Sequence, residues 1–230
     1  MEPVHGVSRR GPSLVVGLIL SLSPGGGRPT RSDLYVYETD AEDSSFYVVT
    51  HKRGLMAFLG HEHAIVPRDW TAELCLGEPL PRGSHGMLVL RTSSLVIDSD
   101  SARALAGLGG GPGPKDVVEI QKKLLDRTHL AAEAYPEIRL DLAALDPETR
   151  GRIRARGTIS IRGFTREMEI PVSVERDPEH RVTLSGWVMI RQSDFGIEPE
   201  SIVGVVKDSD GVDLHFVVAG RPTTRACPAA

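Results

Sequence analysis

The residues best placed by type and spacing to do chemistry lie in FLGHEHAIV, Phe58 to Val66, where His61 and His63 stand two positions apart. Side chains alternate across an extended chain. On a strand the two imidazoles would therefore share a face, ~7 Å apart at the backbone, with Glu62 turned to the other. Such a pair could hold a metal or haem iron if a third ligand approached, and His51, His85, His129, His180 and His215 are the candidates, among which spacing does not choose. Two other readings compete with this one: imidazoles hydrogen-bonded at an opening where a ligand's polar head could meet them, and a plain exposed loop. Cys75 and Cys227 are the only cysteines; they make no Cys-x-x-Cys site and read as no disulfide framework.

Other motifs are excluded on physical grounds. Ser193–Gly196, SDFG, contains the Asp-Phe-Gly triplet of protein kinases, but no His-Arg-Asp loop or Gly-rich strand-turn precedes it. GLGGGPGPK resembles a phosphate loop, yet Pro112 and Pro114 remove amide donors and no Gly-Lys-Ser/Thr follows. No Gly-x-Ser-x-Gly elbow exists to present a nucleophile, and Glu167, Glu169 and Glu175 fall on the solvent side of their strand rather than in a cavity. The chain is therefore read as no enzyme.

The formal net charge of −4, with arginines spread along 230 residues, gives no basic field for phosphates and excludes nucleic acid as a partner. That length suits one well-buried domain. Near the N-terminus Arg9 and Arg10 precede SLVVGLILSLS, a run of signal-peptide length that is too short to span a bilayer. SRRGPSL is similar to a twin-arginine export signal, although SLSP makes a poor cleavage site. Periplasmic or secreted location is expected; a disordered leader or an early start codon would leave the protein cytoplasmic.

The elements that must position these residues are strands. In GRIRARGTISIRG, Ile153, Ala155, Gly157, Ile159 and Ile161 alternate with Arg152, Arg154, Arg156, Thr158 and Ser160. After a short turn at GFTR, Met168, Ile170, Val172 and Val174 alternate with Glu167, Glu169, Ser173 and Glu175, so arginines and glutamates of antiparallel neighbours can pair across the solvent face. The pattern recurs at Ile138, Leu140, Leu142; at Trp70, Ala72, Leu74, Leu76; and at Val212, Leu214, Phe216, Val218. A sheet with one dry face must close or stack. Two segments have helical spacing: Ser101–Pro114, a short helix ending in a Gly-Pro loop, and Lys115–Asp126, with Val117, Ile120 and Leu124 on one face.

Four segments, AYPEIRL, GTISIRGFTREMEIPVSV, IRQSDFGI and VKDSDGVDLHFVVAG, resemble in order and spacing the YceI-like family, from about Ser45 to Gly220. The resemblance implies an all-β fold, an antiparallel lipocalin-like β-barrel, with the one or two short helices packed on it or at its end. It also implies an exported protein whose interior holds a long apolar molecule, a polyisoprenoid or a quinone tail, with no catalytic residue and no required cofactor.

Parity then places Trp70, Leu140, Ile159, Ile161, Met168, Ile170 and Phe216 on the lining, with Phe58, His61 and His63 at the pocket mouth. Trp187 and Met189 form a second apolar set on RVTLSGWVMI, read as a face under a helix, as more ligand lining, or as a dimer surface. In SDFG, Asp194 is expected to accept hydrogen bonds from backbone or Arg191 while Phe195 plugs the base of the barrel. The expected division is a leader and linker over 1–33, a barrel over 34–221 and a flexible tail over 222–230. The partners expected are a long-chain apolar small molecule, transient contact with a membrane, and a second copy of the chain; the alternative function is a metal- or haem-associated barrel using His61 and His63.

Overall fold

Strict alternation of apolar and charged residues produces strands whose dry faces turn inward. The computed structural model describes residues 34–53, 61–77, 80, 83–147, 152–199, 201–202 and 206–227. The elements are β1 (Leu34–Arg53), β2 (His63–Pro67), β3 (Trp70–Gly77), β4 (His85–Arg91), β5 (Leu95–Ile97), α1 (Asp100–Leu105), α2 (Pro114–Leu125), β6 (Glu137–Pro147), β7 (Arg152–Ile161), β8 (Phe164–Arg176), β9 (Val182–Arg191), β10 (Ser201–Ile202) and β11 (Val206–Ala226). Neighbours pair antiparallel in the order β11-β9-β8-β7-β6-β4-β3-β1, and β1 returns to β11, so these eight strands close a barrel. The leader 1–33, the GLMAFLG turn and Phe58 lie outside the described residues.

Parity sorts the interior as the sequence predicts. Ile153, Ala155, Ile159 and Ile161 of β7 and Ile170 and Val172 of β8 are buried in one cluster with Leu74, Leu76, Leu140 and Leu184. Across the outer face Arg154 meets Glu169 at 3.6 Å. The β7–β8 connection is the two-residue turn Arg162–Gly163, with φ of 52° and 78°, the left-handed pair whose twist matches a hairpin. Gly157 has a different reason to be glycine. β6 bulges between Leu142 and Ala144, and a Cβ on Gly157 would stand 1.9 Å from the Asp141 carbonyl oxygen. Gly157→Ala is accordingly expected to cost about 3 kcal/mol or more, read as a lower urea midpoint, because β6 must move to admit a methyl group.

The helices cap rather than build. Ile120, Leu124 and Leu125 of α2 pack on Ile65, Leu95 and Ile97, closing one end of the barrel, with Pro114 opening the helix and Lys122 and Lys123 in its last turn. α1 starts at Ser99, whose hydroxyl accepts from the Ala102 amide at 3.2 Å.

Four expectations are corrected. Trp187 and Met189 are each 53 % exposed on the outside of β9, so they line no interior and no described helix covers them; the alternation that turns Leu184 and Val188 inward turns them out. Residues 222–226 are no tail: they continue β11, with Pro222 opposite Tyr37 and Ala226 opposite Tyr35. Cys227 is bonded to Cys75, 152 positions away, within a small buried cluster with Val36. Asp194 is exposed, and the carboxylate that holds the SDFG turn belongs to Asp210, which accepts from the Ser193 amide at 2.8 Å and hydroxyl at 2.7 Å. Those bonds hold the Asp210 carboxyl below its ordinary range, Ser193 being the main cause. Phe195 is 2 % exposed within the main core.

Candidate functional site

The inward faces of the strands enclose a row of three small apolar cavities, about 40, 50 and 30 Å³. The first lies towards α2, against Ile65, Leu95 and Ile138. It shares Phe46, Leu88, Leu140 and Leu214 with the middle one, which shares Leu74, Leu142, Leu184 and Phe216 with the third. Shared walls mean the three form one line. His85, whose Nδ1 lies 3.2 Å from the Gly83 carbonyl oxygen, stands at the far end of that line.

Of the residues that sequence parity placed on the lining, Leu140, Ile159, Ile170 and Phe216 line these cavities. Ile161 is buried in the core, and Met168 and Trp70 pack against it half-buried. Trp70 meets Phe46 edge to face at 4.9 Å between ring centres. Phe46, Leu88, Leu90 and Leu214 also form the walls. Leu88 and Leu90 carried no alternation to mark their face, because Met87 and Val89 between them are as apolar, whereas Leu214 stood in an alternating run. Phe46 had none, because β1 bulges between Asp40 and Ser45 and breaks its own period.

The histidine pair is divided by the backbone. His61 is exposed and precedes β2, and His63 opens that strand; neither lines an interior cavity. Glu62 turns towards His51, whose Nδ1 lies 3.2 Å from it and whose Nε2 lies 2.9 Å from Asp213. The Asp213 hydrogen bond above all raises the His51 pKa, against burial and with help from Glu62. Next to them on the outer face, His215 stacks on Tyr47 at 4.6 Å and on Trp187 at 6.1 Å. Among the described residues no three His, Cys, Asp or Glu side chains come together to hold a metal ion.

His63 instead serves a buried carboxylate. Asp98 has no side-chain exposure, accepts from the Ala64 amide at 3.1 Å and Arg103 Nη1 at 2.7 Å, and faces His63 Nδ1 at 2.5 Å. Its own amide donates to the Ala64 carbonyl at 2.8 Å, which fixes the left-handed φ of 52° that aspartate tolerates. Burial acts to raise the Asp98 pKa, but His63, the Ala64 amide and Arg103 outweigh it and hold it below the ordinary value. A depressed folded pKa gives stability that is complete above the unfolded carboxylate value and is lost as pH falls through the folded one. Asp98→Asn is therefore expected to destabilise by about 3 kcal/mol near neutrality, since Arg103 loses a buried counter-charge and His63 its carboxylate partner, and to flatten the acid limb of the stability curve in urea titrations from about pH 5 to pH 3.

Residues 37–219 match the family model of the YceI-like domain. No curated protein matches in sequence. Among solved structures, BcnA of Burkholderia cenocepacia superposes with a TM-score of 0.60 at 16% identity, over 79% of this chain and 99% of that one. A polyisoprenoid binding domain from Saccharophagus degradans, implicated in plant cell wall breakdown, superposes with a TM-score of 0.54 at 13% identity, over 83% and 99%. The YCEI protein of Campylobacter jejuni gives 0.52 at 13% identity, over 70% and 85%.

Proposed function

This chain belongs to the YceI-like domain family, and on that premise we propose that its barrel binds and carries a long apolar molecule of the polyisoprenoid or quinone-tail class, as a binding protein rather than a catalyst. The observation that carries the reading is the row of three apolar cavities along one line, walled by Leu, Ile and Phe side chains. The similar domain from Saccharophagus degradans, a polyisoprenoid binding domain, supports the ligand class. The side chains that separate the cavities, Phe46, Leu88 and Leu214 among them, have rotamer freedom, so an extended chain threads the line by turning them aside rather than by parting strands. Each isoprene unit buried yields roughly 4 kcal/mol gross at about 0.8 kcal/mol per carbon, less the ordering of its rotors and the repacking of the wall, so a few units give tight binding.

Export agrees with this role, because a lipid between membranes needs a carrier. Two features support an oxidising compartment: the Cys75–Cys227 bond and the apolar run after Arg9 and Arg10. The exposed Trp187 and Met189 suit brief contact with a membrane or a second copy.

Native mass spectrometry of gently purified protein, followed by solvent extraction, tests the function. A discrete added mass that extracts as a polyprenyl or quinone compound is expected. A bare chain mass, with no uptake of added geranylgeraniol, overturns the proposal.

A further inference from the structure

The barrel wall is not hydrogen-bonded all the way round. Between β8 and β9 the ladder ends at Val172 and Gly186; there the 3₁₀ turn Gln192–Phe195 packs against both strands and buries Phe195. Between β1 and β3 the ladder covers only Leu34–Tyr37 against Gly77–Leu74, and that edge of β1 is next paired at Val48, by β2. In this second interval β1 bulges, and Trp70–Glu73 face no ladder partner on β1 among the described residues.

A groove of about 340 Å³ occupies the interval, within the ~300–1,000 Å³ usual for small-molecule sites, lined by Thr39, Ala41, Arg68, Trp70, Thr71 and Ala72. Asp69 also borders it, its carboxylate held by Arg91 at 2.6 Å. Ala72 lines the middle interior cavity as well, and Phe46, on which the Trp70 ring stands, lines the first and the middle ones. The Trp70–Phe46 pair and Ala72 thus stand between the groove and the row of interior cavities, called the tunnel below. A larger groove of about 920 Å³ beside α2 shares no lining residue with the tunnel.

We propose that the β1–β3 groove is a side entrance to the tunnel and the seat of the ligand's polar head, the apolar chain passing between Trp70 and Phe46. The inference rests on the reading that the barrel holds an apolar chain. Its chemistry is that of the groove's own donors: the forked guanidinium of Arg68 and the hydroxyls of Thr39 and Thr71 suit a head rich in oxygen acceptors, a phosphate above all. The indole faces apolar chain on one side and polar head on the other, which is the division an amphipathic ring accommodates. Opening the passage breaks no ladder hydrogen bond, because none spans it.

The test compares geranylgeranyl phosphate with geranylgeraniol, each titrated into the full chain and into Arg68→Gln. The substitution is expected to weaken the phosphate about tenfold and leave the alcohol within about twofold, because one charge-assisted contact is lost and the chain is untouched. An unchanged ratio of the two affinities overturns the inference. A second measurement does not depend on that variant: in Trp187→Phe, Trp70 is the sole indole, and its quenching by iodide is expected to fall several-fold on loading with the phosphate. Loading that leaves Trp70 as quenchable as before also overturns the head site. If the wild type takes up neither lipid, the proposed function itself fails, an outcome distinct from both.

Discussion

Replacing Leu88 with Trp is expected to lower the affinity for geranylgeraniol by about a hundredfold or more while the barrel stays folded. Leu88 points inward from β4 opposite Leu140 and forms part of both the first and the middle cavity, so an indole there closes the line between them. A chain stopped at that point loses every contact beyond it. At roughly 4 kcal/mol gross for each isoprene unit, less rotor ordering, exclusion of one or two units removes about 3 kcal/mol net, and 1.4 kcal/mol is about a factor of ten. Overpacking costs about 1–3 kcal/mol of stability, a sum that a half-buried position in an incompletely filled interior partly relieves. The measurement is a titration of geranylgeraniol and of the shorter farnesol, with circular dichroism as the folding control. The longer chain should suffer more. Equal affinities for wild type and a folded variant would show that the ligand does not run past Leu88.

Removal of the Cys75–Cys227 bond, by Cys75→Ser with Cys227→Ser, is expected to lower stability by about 2–5 kcal/mol. The bond joins β3 to the end of β11 across β1, and it closes a loop of 152 positions. Tying so long a loop restricts the unfolded chain by about 5 kcal/mol on loop entropy alone, and losses of about 2–5 kcal/mol are typical when such a bond is removed. The folded state adds to this, because Cys227 is 4 % exposed against Val36 and Cys75, and its loss frees the last strand from Pro222 onward. Guanidinium unfolding of the two proteins, with and without reductant, checks it. Wild type under reductant should behave as the double variant does; an unchanged midpoint in both comparisons would show that the strand is held by its ladder to β1 alone.

The sequence made the strands and their dry faces legible because burial on one face writes a period of two into the chain, while their closure into a barrel followed from the family resemblance. The strands β7, β8 and β11, and most of β3 and β6, could be read this way, together with the inward set that includes Leu140, Ile159, Ile170 and Phe216. Burial on one side of a helix, at a period of 3.6, likewise marked the α2 face with Ile120 and Leu124. The period of two misled on β9, where Trp187 and Met189 are as apolar as the residues behind them, since composition alone does not tell a lining from an exposed face. It was silent on β1, where the bulge between Asp40 and Ser45 shifts the parity and hides Phe46.

What the sequence by itself determined is an antiparallel sheet with one dry face, to be closed or stacked, and the inward parity of its regular strands, because side-chain alternation is a local property of an extended chain. Only the tertiary structure decided which distant groups meet: Cys75 with Cys227, Asp98 with His63 and Arg103, Asp210 with Ser193, and the groove outside Trp70 with the cavity inside Phe46. These depend on how strands are ordered and staggered around the ring. That arrangement minimises the free energy of the whole closed sheet, and no short window of residues carries it.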